Sequence, residues 1–306
     1  MKLSVISSLF ILLIFIGCDN TDEQAPVSDT ICNPLNLSYR FRPETNEPSR
    51  REAADPTMIV FKDEYFLFAS KTGGYWHSKD LKTWDLIQTS QIPTEDYAPT
   101  ATVIGDTIYF MASNSSNCPI YKTGNPQSGN WELVTDNFPY AVTDPAFFLD
   151  DDERLYLYWG CSNEDPIMGV ELDLNNNFQP IGEPDSLIFA NTSEFGWENP
   201  GDNNELTNQA PWLEGAWMTK NNGLYYLQYS GPGTEYKSYT DAVYISDSPL
   251  GNFRPAEHNP MAYKPGGFIS GLGHGSVFQD NFGNHWHVGT MSISVKHKFE
   301  RRIGMV

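Results

Sequence analysis

Positive charge is scarce in this sequence. Its 19 Lys and Arg stand against 39 Asp and Glu, a formal net charge of −20. That balance excludes recognition of nucleic acid or of an anionic membrane surface through charge. Cysteine is scarce as well. One of the four ends an N-terminal apolar run, so Cys32, Cys118 and Cys161 can close at most one internal disulfide. Their spacing matches no zinc pattern, and no chemistry is assigned to them. Cys161 follows the aromatic run LYLYWG and reads as a buried strand cysteine. Long amphipathic stretches are missing too: past the N-terminus no capped 3.6-residue pattern stands out, which argues against a helical domain. What is abundant is the opposite material. Aromatics make up 14% of the chain and charged residues only 19%, with 24 Gly and 21 Pro, the composition of a β-rich, turn-rich protein.

The N-terminus is a targeting segment. Lys2 supplies a positive end, and Leu9 to Ile16 form an apolar run too short to span a bilayer as a mature helix. The run ends in FIGC, a small residue directly before Cys18, as in bacterial lipoprotein signals. Residues 1–18 are therefore expected to be a lipoprotein signal peptide, with lipid on Cys18 holding the mature protein to a bacterial membrane outside the cytoplasm, on the periplasmic face or at the cell surface. Residues 19–50 follow as a polar, acidic tether and a Pro-rich linker.

From residue 51 to 306 one pattern is written five times. DPTMIVF from Asp55, APTATVI from Ala98, DPAFFLD from Asp144, EGAWMTK from Glu214 and HGSVFQD from His274 each precede a polar turn. After each turn comes a second apolar run: YFLFAS, IYFMAS, LYLYWG, YYLQYS and HWHVGT. Three of the units close on an aromatic (Trp84, Trp131, Phe178) recurring every 47 residues, and a fourth closes on Phe253. Four short strands in a unit of that length are the mark of a propeller blade. The fold expected is all-β, a five-bladed β-propeller whose fifth blade is short of a strand. Either the chain is a fragment, as its end inside an apolar run suggests, or NLSYRF (36–41) near the N-terminus supplies the missing outer strand.

Propeller topology places the chemistry. The innermost strands line a central channel and all begin on one face, so Asp55, Asp144, Glu214 and His274 are expected to crowd the channel mouth. The long connections 183–210 and 255–272 lie on the same face and can wall a pocket there. Trp76, Tyr97, Phe195 and Trp197 are expected to line it and bind substrate. Three carboxylates in one partly dry site repel one another, so their pKa values separate. One can then stay protonated as an acid while another stays ionised as a base, the division that glycoside hydrolysis needs. A single Asp-Pro often only caps a turn; three acids recurring across repeats are harder to explain that way. His274 reads either as a satisfied channel histidine or as a ligand, direct or through water, to a hard cation such as calcium.

The motifs AADP at Asp55, YAP at Tyr97, TDP at Asp144, LEGAW at Glu214 and GHGS at His274 resemble glycoside hydrolase family 43 in order and in blade. The resemblance spans about residues 50–306. It implies a five-bladed propeller of inverting glycosidases, chiefly arabinofuranosidases, xylosidases and arabinanases, with Asp55 as general base, Asp144 as pKa modulator and Glu214 as general acid. It also implies a central calcium near His274, no organic cofactor, and an arginine of the last blade, Arg301 or Arg302, at the substrate. Some related propeller families with the same three acids are retaining. The expected activity is exo-acting hydrolysis of terminal sugars from plant or algal polysaccharide fragments by a monomer. A non-catalytic carbohydrate-binding propeller is the alternative, and would show binding without hydrolysis.

Overall fold

The structure, a computed structural model, describes residues 30–94, 97–264, 266–293 and 298–306. The signal segment, Cys18 and the tether as far as residue 29 lie outside the described residues. A two-stranded hairpin of β1 (Phe41–Arg42) and β2 (Arg50–Arg51) comes first. Blade one holds β3 (Ala54–Phe61), β4 (Glu64–Ser70), β5 (Gly74–Ser78) and β6 (Asp85–Gln88). Blade two holds β7 (Pro99–Ile104), β8 (Thr107–Ala112), β9 (Ile120–Thr123) and β10 (Glu132–Thr135). Blade three holds β11 (Ala146–Leu149), β12 (Leu155–Trp159), β13 (Ile167–Asp173) and β14 (Gln179–Ile188). Blade four holds β15 (Glu214–Asn221), β16 (Leu224–Gly231), β17 (Thr240–Ser246) and β18 (Arg254–Pro255). Blade five holds β19 (Ser270–Gln279), β20 (His285–Ser292) and β21 (Arg301–Met305). Every blade is an antiparallel meander in chain order. The innermost strands touch in sequence, and β19 meets β3 to complete the ring.

The repeat aromatics explain where each blade ends. Trp84, Trp131, Phe178 and Phe253 each stand one residue before the outermost strand of their blade. Trp131 packs edge-on against Phe68 and Tyr75 of blade one, and its indole N–H meets the Tyr75 hydroxyl at 3.2 Å. Burying such rings between sheets is what holds neighbouring blades together. Apolar clusters join blades one and two, two and three, three and four, and five and one. None of these clusters joins blades four and five. Buried polar groups meet at that seam instead: the Asp241 carboxylate accepts hydrogen bonds from Gln228 Nε2 at 2.9 Å, His287 Nε2 at 2.7 Å and the Ser230 hydroxyl.

The N-terminal segment does not behave as a linker from residue 31 onward. Leu35 and Leu37 are buried in the cluster that joins blades five and one. Leu35 N–H donates to Ile303 O at 2.8 Å, and the Asn33 side chain bonds both the carbonyl (2.8 Å) and the N–H (2.8 Å) of Met305. The segment thus covers the outer edge of β21, where a fourth strand would lie. A bare strand edge there would leave a row of unpaired backbone groups. The N-terminal segment that covers this edge is irregular rather than a strand and uses Asn33 to Tyr39 rather than all of NLSYRF.

Candidate active site

The start of each innermost strand is built the same way. Asp55, Ala98, Asp144, Gly215 and His274 all have left-handed backbone, with φ of 55°, 47°, 55°, 63° and 46°. For a residue with a Cβ this conformation costs about 1–2 kcal/mol. A hydroxyl at the end of the preceding blade's second strand helps to hold it. Asp55 N–H donates to Thr290 Oγ1 (2.7 Å), Ala98 N–H to Ser70 Oγ (2.8 Å), Asp144 N–H to Ser113 Oγ (2.8 Å) and His274 N–H to Ser230 Oγ (2.6 Å). One such bond contributes about 0.5–1.5 kcal/mol, so bond and packing together fix the turn.

Glu214 departs from this pattern, standing one residue from the register that the sequence repeats suggest. In blade four the left-handed position belongs to Gly215. Glu214 pairs with Ser230 just as Ala54 pairs with Ser70, so its counterpart in blade one is Ala54 rather than Asp55. The glycine is required: a Cβ on residue 215 would lie 2.7 Å from Ser230 Oγ and 2.8 Å from His274 Cγ. The hydroxyl is also missing at this junction, because Gly160 stands where other blades have Ser or Thr. Gly215 N–H turns to Asp144 Oδ2 instead, at 3.3 Å.

The expected residues meet as follows. His274 Nδ1 lies 3.5 Å from Asp55 Oδ1 and 3.4 Å from Asp144 Oδ2. Arg301, buried, is anchored by Glu52 at 2.7 Å and places Nη1 3.6 Å from Asp55 Oδ1. The Asp55 carboxylate also accepts the Ser70 hydroxyl at 2.6 Å. Tyr97 is half exposed at the rim, with Lys71 Nζ 3.8 Å from its ring centre and the Arg301 guanidinium 6.0 Å away. Arg302 points elsewhere, over the Tyr39 ring at 4.8 Å.

Two expected substrate contacts are not brought to the acids. Trp76 is fully buried between blade one and the N-terminal segment, its indole N–H on Ser38 Oγ at 3.2 Å. Trp197 stacks on Phe195 at 6.0 Å and packs on Tyr229, over the core of blades three and four. Four neighbours of the site were missed: Glu52, Thr234, Cys161 and Tyr239. Thr234 Oγ1 accepts from Arg301 Nη1 at 3.3 Å. Cys161 Sγ donates to Glu214 Oε2 at 3.2 Å. The Tyr239 phenol lies beside Glu214 without closing a hydrogen bond of normal geometry. Only Glu52 had a signal, standing inside the EAADP motif.

Electrostatics divides the acids. Burial pushes Asp55 upward, but the Arg301 guanidinium, His274 and the Ser70 hydrogen bond outweigh it and hold Asp55 below the usual carboxylate range. Asp144 is pushed up to about 7, first by burial and then by the charges of Glu214 and Asp55 against the pull of His274. Glu214 is also raised, by burial and by Asp55. Burial disfavours charge on His274, yet the surrounding carboxylates raise its pKa. One acid stays ionised while two hold protons more tightly, the pairing that acid–base chemistry uses. Asp144→Asn is expected to shift the basic limb of the kcat/KM profile down by about one pH unit, because the remaining acid loses a like-charged neighbour. A limb that stays in place would remove Asp144 from that role.

The mouth is walled on one side. The Ser238 hydroxyl donates to Gly201 O at 2.7 Å and Tyr263 OH to Asn204 Oδ1 at 2.9 Å. These bonds tie three connections together: 189–213, 232–239 and 256–269. Along blade three lies a cavity of about 460 Å³, lined by Thr143, Trp159, Cys161, Asp165, Met168 and Ser186 among others.

Residues 47–300 match the family described as glycosyl hydrolases family 43. A relative named beta-D-galactofuranosidase, from Aspergillus niger, is 25% identical over 263 residues, which cover 74% of this chain and 69% of that protein. Among solved structures, a thermostable family-43 glycoside hydrolase superposes with a TM-score of 0.67 at 21% identity, covering 83% of this chain and 88% of its own. An endo-1,4-beta-xylanase from Bacteroides thetaiotaomicron gives a TM-score of 0.68 at 23% identity, covering 83% and 89%. At these identities the two structures speak for the fold.

Proposed function

The chain belongs to glycosyl hydrolases family 43 and is a glycoside hydrolase; from that premise we propose that it removes terminal sugars with inversion, acting on oligosaccharide fragments of plant or algal polysaccharides. The observation that carries the mechanism is the split among the acids. Asp55, held ionised beside Arg301 and His274, takes the proton of the attacking water. Glu214, held protonated, gives its proton to the leaving oxygen. Asp144, itself pushed up by burial and by the charge of Glu214, shares its titration with the acid and, through Gly215 N–H, ties blade three to the start of β15.

Exo action rests on the walls. Three hydrogen-bonded connections close one side of the mouth, and the cavity beside Cys161 gives the leaving portion room. A relative is named as a galactofuranosidase and a neighbour as an endo-xylanase, so the panel to test includes aryl arabinofuranosides, galactofuranosides and xylosides, together with internally labelled xylan and arabinan. The product anomer is followed by NMR. Hydrolysis of one terminal glycoside with inverted configuration supports the proposal. A retained anomer would reverse the mechanism, and release of internal fragments would reverse the exo assignment.

We propose that a calcium ion sits in the channel near His274. The described residues give the channel one imidazole, His274, facing two carboxylates that the reaction needs. That donor set suits a cation held mainly by water rather than a dehydrated one. Such an ion would supply positive charge beneath the acids. A melting temperature that rises on adding calcium to chelator-treated protein would support it, and no rise would remove it. We also propose that lipid on Cys18 anchors the enzyme outside the cytoplasm. Loss of Cys18→Ser protein from the membrane fraction tests that, and its retention there would refute it.

A further inference from the structure

At the junction of blades three and four the relay of hydroxyls is broken. Gly160, at φ 156°, leaves little room for a serine, since a Cβ there would lie 3.2 Å from both Ile167 Cα and Pro166 O. The next residue is Cys161, and its thiol takes up a contact made at no other blade: Sγ to Glu214 Oε2, 3.2 Å. Sulfur and the oxygens of Asp144 and Glu214 gather within 4.8 Å of one another. Burial, followed by the charges of Asp144 and Glu214, keeps this sulfur protonated. It is therefore a fixed donor and not a nucleophile.

The other oxygen of Glu214 is held differently. Oε1 is buried and without a partner, and so is the hydroxyl of Tyr239, a residue only 2% exposed that stands beside it. The carboxyl group is thus pinned by the thiol on one oxygen and enclosed beside the phenol on the other. An acid that protonates a leaving group needs its carboxyl held in one orientation, because a rotated carboxyl points its proton away from the bond to be broken.

We propose that Cys161 is a positioning residue for proton delivery: its thiol donates to Oε2 and, with Tyr239 beside the other oxygen, holds the carboxyl group of Glu214 in the one orientation that serves the leaving group. In the step, the Glu214 proton passes to the glycosidic oxygen as its bond to the anomeric carbon breaks and water attacks from the side of Asp55. Glu214 is left as a carboxylate. The thiol keeps its own proton, and its bond to Oε2 strengthens as charge arrives there. The inference rests on Glu214 being the general acid.

Cys161→Ala and Cys161→Val remove the donor, and Cys161→Ser restores one. The groups facing Glu214 (Asp55, Asp144, His274 and Tyr239) stay unchanged in all three. The probes are a 4-nitrophenyl glycoside of the sugar cleaved in the panel and the methyl glycoside of the same sugar. Without the donor, kcat on the methyl glycoside should fall roughly three- to tenfold, and the basic limb should rise by roughly half to one pH unit, since a bond favouring the carboxylate is gone. Turnover of the 4-nitrophenyl glycoside at low pH should hold, and Cys161→Ser should bring the limb back. A limb that coincides with wild type in both donorless variants, or equal losses on the two substrates, would overturn the inference. Glu214→Gln separates the two claims: if it hydrolyses the methyl glycoside at the wild-type rate, the acid assignment itself fails.

Discussion

Asp55→Asn is expected to lower kcat by about 10²–10⁴-fold, and by a similar factor whether the leaving group is 4-nitrophenol or an alcohol. Asparagine has nearly the shape of aspartate and can still accept the Ser70 hydroxyl, so the turn at residue 55 and the blade around it should survive. What it cannot do is take a proton from water. The loss therefore falls on the attacking side of the reaction, which is blind to the leaving group. The native side chain is kept ionised by Arg301 and His274 against its own burial. The acidic limb of the wild-type profile should accordingly lie below the ordinary carboxylate range and should vanish in the variant. Azide attacks without help from a base. Adding it should restore turnover and yield a glycosyl azide of inverted configuration. An Asp55→Asn enzyme that keeps more than about a tenth of its activity, or an azide product of retained configuration, would dismiss Asp55 as base.

Much of the fold was legible because blades are repeats. The closing aromatics Trp84, Trp131, Phe178 and Phe253 announce each outermost strand, and burial between sheets leaves little freedom at those positions. The mouth was legible for the same reason: Asp55, Asp144 and His274 occupy one recurring left-handed position. Glu214 shows the limit of this logic. Its offset by one residue depends on Gly215 taking the left-handed turn that an aspartate takes in blades one and three. A list of motif starts does not show which of two adjacent residues takes that turn. The aromatics failed for another reason. On a strand, neighbouring residues point to opposite faces, and nothing local said that Trp76 faces the N-terminal segment rather than the channel mouth. Arg301 and Arg302 are neighbours on β21 and point apart by the same rule; the buried partner Glu52, 249 positions away, decides which of them reaches Asp55. Cys161 was read as inert strand packing, since its contact with Glu214 joins two blades and belongs to neither strand alone.

Glu214→Gln should produce the complementary signature, and the contrast with Asp55→Asn assigns the two roles. Hydrolysis of a methyl or disaccharide substrate needs a proton on the departing oxygen. Loss of the acid should cost about 10²–10⁴-fold there. A 4-nitrophenolate leaves readily without one, so its kcat should fall far less, by about tenfold or under. The variant should also lose the basic limb, which belongs to the shared titration of Glu214 and Asp144. In the wild type this limb lies high because burial and neighbouring carboxylates favour the protonated form. With Glu214 replaced by an amide, Asp144 loses one of the charges that pushed it up to about 7. Its pKa should then fall back toward the ordinary range, an effect readable by NMR titration of labelled aspartate. Azide should give no rescue, because the base and the water it activates remain intact. If Glu214→Gln instead slowed both classes of substrate equally and answered to azide, Glu214 would stand on the attacking side. The roles of Asp55 and Glu214 would have to be exchanged, and the thiol of Cys161 would then orient a base rather than an acid.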